Sequence, residues 1–193
     1  MTTSATTVPA PQASRPLRHL WIPLLAGALV AETLGLMARE KTISPGAYPG
    51  GYFQLFFSDT PHLKAWFATA AVFLVCVQLF TAAWIFRKLP WPRPRFVNVV
   101  HRWSGRLAFA ATLPVAYHCI FKFGFQTYDT RVAVHSFFGA AVYGAFAAKV
   151  TIVRMHRFPR WVLPLAGGLL FVTFLGVWYT SAMWFFRLVG EGI

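Results

Sequence analysis

The sequence predicts an all-α membrane helix bundle, and three observations carry that reading. Of 193 residues, 57% are hydrophobic and only 12% are charged, against about 25% charged in an ordinary soluble domain. The apolar residues gather into five runs, about 19–37, 62–86, 97–122, 131–154 and 161–185, each near the length of about 20 residues that an apolar helix needs to cross a bilayer. The formal charge of +13 lies largely in the short segments between these runs. That is where the positive-inside rule puts cations, so the basic balance speaks for a lipid bilayer as partner and against nucleic acid.

Residues 1–17, MTTSATTVPAPQASRPL, hold almost no large apolar side chain and read as a disordered cytoplasmic tail. Arg15 and Arg18 precede the first run, as in a signal peptide. That run is long enough to span, and no convincing small-residue cleavage site follows, so it reads as an uncleaved helix. Residues 38–61 mix charge, Pro and Gly and form a loop whose aromatic part, Tyr52 to Phe57, lies against the interface. The second helix ends at RKLPWPRPR, where prolines stop it. The third and fourth runs form an antiparallel hairpin around the polar turn QTYDTR, and the fifth helix tolerates Pro164 in its first turn. The five spans make one domain, 18–187, with a short tail at 188–193.

Placing the amino terminus inside puts Arg15, Arg18, Arg87, Lys88, Arg93, Arg95, Arg154, Arg157 and Arg160 on the cytoplasmic face. The outer loops then take Arg39, Lys41, Lys64, Lys122, Arg131 and Arg187, with Glu40, Asp59, Asp129 and Glu191. The cation count favours N-in, C-out. Trp161 at one end, and Trp178, Tyr179 and Trp184 at the other, fit an aromatic belt. Cys76 and Cys119 both fall in apolar runs, with no Cys-x-x-Cys, and read as small core residues with no disulfide between them.

The candidate chemistry lies in the hairpin, which carries four of the six histidines. If its two helices pack face to face, His118 is level with His135 and His101 with His156. Histidine is rare inside membranes and usually functional there, and an imidazole on each of two facing helices is what bis-histidine haem ligation needs. Seventeen residues separate His101 from His118, roughly 25 Å along a helix and roughly 100° apart around it, so two haems would lie in different leaflets. Gly105 and Gly139 stand four residues after His101 and His135, where they let a flat macrocycle approach the backbone. Arg102, Arg106 and Arg131 are placed to pair with haem propionates.

Each of these residues also has a plainer account. His19 and His62 read as interfacial residues, and His156, in the basic stretch VRMHRFPR, suits a solvated or headgroup role. The glycines also suit helix–helix packing. Arg106 lies too deep to reach the interface easily and needs a partner; Glu32 is one candidate, and it is also a candidate proton-relay group. Lys149 is expected to snorkel to the inner surface.

His101-Arg-Trp103-Ser-Gly105 and His135-Ser-Phe-Phe-Gly139 resemble the His-x-Trp-x-Gly and His-x-x-x-Gly stretches that open two central helices in the cytochrome b561 superfamily. Over the whole chain, phrases such as HRWSGRLAF, LPVAYHC, VHSFFGAAVYGAFAAK and LAGGLLF resemble an uncharacterised family of small actinobacterial multi-pass membrane proteins. The b561 resemblance covers about residues 97–156 and implies transmembrane electron transfer through haem b. It also implies ligands from flanking helices, and here the chain departs, because the fifth helix has no histidine. His118 or His62 would then serve His135, and His156 or His19 would serve His101.

The sequence-level expectation is a b-type cytochrome-like membrane protein with one haem between His118 and His135, and room for a second at His101 and His156. Such a subunit of a membrane oxidoreductase needs a redox partner: a quinone, a ferredoxin-like donor or an iron–sulfur protein. The alternative is a cofactor-free scaffold or assembly subunit, in which the histidines are interhelical hydrogen-bond glue. No phosphate loop or nucleophile elbow is present, and polar residues at two rims rather than at the midplane argue against a small transporter.

Overall fold

The computed structural model describes residues 17–39 and 53–190. The amino-terminal tail, most of the first loop with Tyr52, and the last three residues lie outside them, as do Arg15, Glu40, Lys41 and Glu191. Among the described residues all regular structure is helical. After a short turn at Leu17–His19 come α1 (Trp21–Arg39), α2 (Thr60–Ile85), α3 (Val97–Tyr117), α4 (Thr130–Met155) and α5 (Val162–Trp178). α3 continues into a π-helical stretch, His118–Phe123, and α5 continues through another, Tyr179–Met183, into α6 (Trp184–Gly190). Four of these segments, Leu17–Ala38, Thr60–Ile85, Thr130–Met155 and Val162–Gly190, are long and apolar enough to cross a membrane. α3 falls short of that composition because Asn98, His101, Arg102, Ser104 and Arg106 crowd its first ten residues.

Local chemistry sets the ends. Asp59 caps α2: its carboxylate accepts the His62 backbone N–H at 2.8 Å, and Pro61 occupies the first turn, where its missing N–H costs nothing. α4 ends at His156, whose backbone is left-handed at φ 50°. In α3, Pro114 cannot donate to the carbonyl four residues before it, and the helix loosens into its π stretch one turn later.

The packing differs from the expected hairpin. α3 packs on α2, whereas α4 packs on α1 and α5, and α2 also meets α5. α3 and α4 share no packed backbone interface. The sequence leads there for a steric reason: Phe109, Tyr143 and Phe146 stand between the two helices. Phe109 stacks on Phe146 with centroids 4.7 Å apart, and the Tyr143 hydroxyl donates to the Thr112 carbonyl at 3.4 Å. The order around the bundle is therefore α3, α2, α5, α4, α1. Among the described residues it closes where the π stretch after α3 meets α1 and the Phe125 N–H bonds the Ala38 carbonyl.

The main core joins Ala71 and Val75, Ala108, Val142, and Leu170 and Phe174 at mid-height. α1 seats on α4 through two buried glycines. A Cβ on Gly144 would stand 2.7 Å from the Gly27 carbonyl oxygen and 3.0 Å from Ala31 Cβ, so only small residues allow this crossing. One end of the bundle, here the basic end, carries Arg18, Arg87, Lys88, Arg93, Arg95, Arg154, Arg157 and Arg160. The opposite end carries Lys64, Lys122, Arg131 and Arg187 with Asp59 and Asp129.

Two outcomes are expected from these contacts. Gly144→Ala forces the backbones apart and costs about 1–3 kcal/mol, read as a lower midpoint in thermal melts of detergent-solubilised protein. Gly35→Ala, with open space around its Cβ position, should melt like the parent. Burial raises the Asp59 carboxyl, but hydrogen bonds from the His62 N–H and imidazole prevail and hold it below its ordinary 3.8. The depressed value means that the cap stabilises above the ordinary carboxylate pKa and is lost as pH falls through the folded one. Asp59→Ala should therefore cost about 1 kcal/mol at neutral pH, and the difference from the parent should shrink below about pH 4. A difference that persists in acid would rule the carboxylate cap out as its source.

Candidate functional site

Holding α3 away from α4 leaves two cavities, one above the other. The opposite-end cavity has a volume of about 300 Å³ and the basic-end cavity about 710 Å³, within the range of small-molecule and cofactor sites. Thr112, Val142, Tyr143 and Phe174 line both and form the wall between them. Each cavity contains one of the hairpin histidines: His135 in the opposite-end cavity and His101 in the basic-end one.

The two histidines are held alike. His135 Nδ1 lies 3.2 Å from the Thr180 hydroxyl, which itself donates to the Gly176 carbonyl at 2.7 Å. His101 Nδ1 lies 2.8 Å from the Thr81 hydroxyl, which donates to the Val77 carbonyl at 2.7 Å. A hydroxyl whose proton is committed to its own helix can only accept, so Nδ1 carries the hydrogen and donates. In a neutral ring held this way the lone pair would lie on Nε2, the form of imidazole that binds a metal. The threonines come from α2 and from the π stretch after α5, so each bond also ties two helices together.

α2 and α4 supply much of the wall around His135, and the two π stretches add Cys119, Ile120 and Phe123 on one side and Thr180, Ser181 and Ala182 on the other. The Cys119 thiol lies beside His135 and Lys64. Arg131 donates through Nη1 to the Thr180 carbonyl at 2.9 Å and lies 3.8 Å over the Trp184 ring. No atom stands within 4 Å of a Cβ built on Gly139, so the cavity is open above that glycine. Gly105, beside His101, faces Gln78 instead: a Cβ there would meet that amide at 3.1 Å, and the Gln78 amide donates to the His101 carbonyl and to Ser104 Oγ.

The other hairpin residues lie elsewhere. His118 is fully buried but lines neither cavity; its Nδ1 donates to the Pro114 carbonyl at 2.7 Å and its ring lies 4.5 Å from Phe53. The structure thus does not bring His118 and His135 together across a cavity. The cause is rotation along α3, which turns Cys119 toward the cavity and its neighbour away. His156 is exposed, with Nδ1 bonded to the Arg154 carbonyl, and does not share a cavity with His101. Arg102 and Arg106 are exposed on α3, and Arg106 sits 5.2 Å over the Trp103 ring. Glu32 is exposed on α1, whose main partner is α4, so the pairing with Arg106 is not made among the described residues.

Five residues were undervalued by sequence reasoning. Cys119 faces a cavity and Cys76 is exposed, so neither is a core residue, and both thiols are free. Lys149 is half-buried in the wall of the basic-end cavity. Threonine as the partner of each histidine had no signal in one sequence, since Thr81 and Thr180 lie 20 and 45 residues from the rings they hold. Among the described residues no three His, Cys, Asp or Glu side chains gather as a metal-ion site.

No curated protein and no solved structure matches the chain. Residues 20–192 match one family model, and the chain belongs to that family, a family of unknown function, DUF6529.

Proposed function

We propose that this chain is a plasma-membrane haem protein of five spans, N-in and C-out, which passes electrons into or across the bilayer from one haem b at the opposite-end cavity. The observation that carries the reading is the Thr180–His135 bond, which fixes an imidazole in the wall of this cavity. The surroundings suit a flat, doubly anionic macrocycle. Gly139 leaves open space beside the histidine, Arg131 and Lys64 supply cations for two propionates, and no carboxylate lines the cavity among the described residues. The cavity has one imidazole, so His135 would hold the iron, with the Cys119 thiol beside it. Bound haem supplies reversible one-electron chemistry. The protein's part is to fix the ligand nitrogen through Thr180, neutralise the propionates and keep water out with Phe123, Phe174 and Trp178.

The basic end faces the cytoplasm in this reading because its cations outnumber those of the other end. α3 completes the fifth span, its cations on the exposed face and its small residues against α2. Electron exchange requires a redox partner, a quinone or an iron–sulfur or ferredoxin-like protein. The same His–Thr bonds also suit a cofactor-free scaffold, in which they serve only to join helices.

Reduced-minus-oxidised visible spectra, with haem quantified per chain, separate the two. The parent should show a b-type α-band and one haem. His135→Ala should lose the band; His118→Ala and His101→Ala should keep it. Colourless protein from haem-replete cells, or a band that survives His135→Ala, would sink this reading.

A further inference from the structure

The larger, basic-end cavity has one imidazole and a different charge pattern. Lys88 and Arg160 stand exposed at its mouth, and Lys149 lies in its wall, about 9 Å in from the end of α4 at 1.5 Å rise per residue. No carboxylate lines it among the described residues. Three cations converging on an apolar space of about 710 Å³ call for an anion attached to a long apolar body. Beyond the mouth, Gly167 and Gly168 leave open space on the α5 wall, followed by Leu170 and Phe171 toward mid-height. Trp161, 53% exposed, and Phe86, 37% exposed, flank the entrance, at the level where aromatic side chains meet headgroups.

From this arrangement we infer that the basic-end cavity is a binding site for one acidic phospholipid. Its phosphate lies between Lys88 and Arg160, its glycerol region reaches Lys149, and one acyl chain runs over Gly167 and Gly168. Charge decides against an uncharged quinone, which would leave the cations unused. A second haem is disfavoured because the Gln78 amide covers Gly105 beside His101, whereas the space above Gly139 beside His135 is open. The site stands apart from the haem reading, since the Thr112, Val142, Tyr143 and Phe174 wall separates the two cavities. It is also more than the ordinary attraction of a basic rim for anionic lipid, because it holds a lipid in an internal space with a depth and a shape.

The test is native mass spectrometry of the full chain released from nanodiscs containing an equal mixture of phosphatidylglycerol and phosphatidylcholine, with haem counted in the same preparation. One phosphatidylglycerol per chain should be retained and phosphatidylcholine should not. Retention should fall about fivefold for each cation removed in Lys88→Gln, Arg160→Gln and Lys149→Gln. Lys88→Arg should restore it. Gly168→Leu, which leaves every cation in place but fills the acyl path, should also displace the lipid, and unchanged melting curves would show that the fold survives. Retention without headgroup preference, or retention indifferent to both the charge and the Gly168 variants, would overturn the site. So would a second haem per chain that vanishes in His101→Ala. Colourless protein that still retains phosphatidylglycerol would remove the haem reading and leave this one standing.

Discussion

The bundle depends on a spacing imposed by three aromatic side chains. Phe109, Tyr143 and Phe146 fill the middle of the gap between α3 and α4, and because they are rigid and large the two backbones cannot close on each other. Close packing is then recovered elsewhere: α3 leans on α2, and α4 takes α1 on one side and α5 on the other. The Gly27–Gly144 crossing is the counterpart of this arrangement. Where glycines face each other the helices nearly touch, and where aromatics do they stand apart. Space above and below the aromatic layer follows as a geometric consequence.

Polar groups within the bundle are handled economically. A buried donor or acceptor without a partner is costly in an apolar medium, and the chain repeatedly solves this with a hydroxyl that serves two helices. Thr81 and Thr180 each donate to their own helix and accept from a histidine on another, and Thr69 accepts from Trp178 at 3.0 Å. Each such bond fixes both a helix contact and the orientation of a ring. For His101 and His135 it also fixes which nitrogen keeps a lone pair, so one structural device serves stability and ligand presentation together. π-helical stretches add to this at the opposite end: by widening the turn they bring Cys119 and Thr180 into the same cavity wall.

Charge divides the molecule differently from polarity. The basic end collects its cations in the α2–α3 and α4–α5 connections, which hold Arg87, Lys88, Arg93, Arg95, Arg157 and Arg160. The opposite end mixes cations with Asp59 and Asp129 in local pairs, His62 with Asp59 at 2.7 Å and Arg131 with Asp129 at 3.8 Å. Lys88 and Arg160 stand at a cavity mouth that no carboxylate lines among the described residues.

The sequence by itself determined the helical class, the position of each long helix to within a few residues, the apolar character of four of them and the concentration of positive charge at one end. Those features are set by composition and by local punctuation such as the prolines after α2. It also singled out His101, His135 and Gly139, because histidine and glycine are conspicuous in apolar runs. What only the tertiary structure decided was which helices touch and which way each ring faces. Helix period alone cannot tell a hairpin that closes from one wedged open by Phe109 and Tyr143, so the expected pairings of His118 with His135 and His101 with His156 did not form. A π turn after Pro114 shifts every side chain beyond it around the helix axis, exchanging Cys119 for His118 at the cavity wall. The threonine partners, 20 and 45 residues away in the chain, become neighbours only when helices pack, because a hydrogen bond between helices is a property of their crossing and not of either segment.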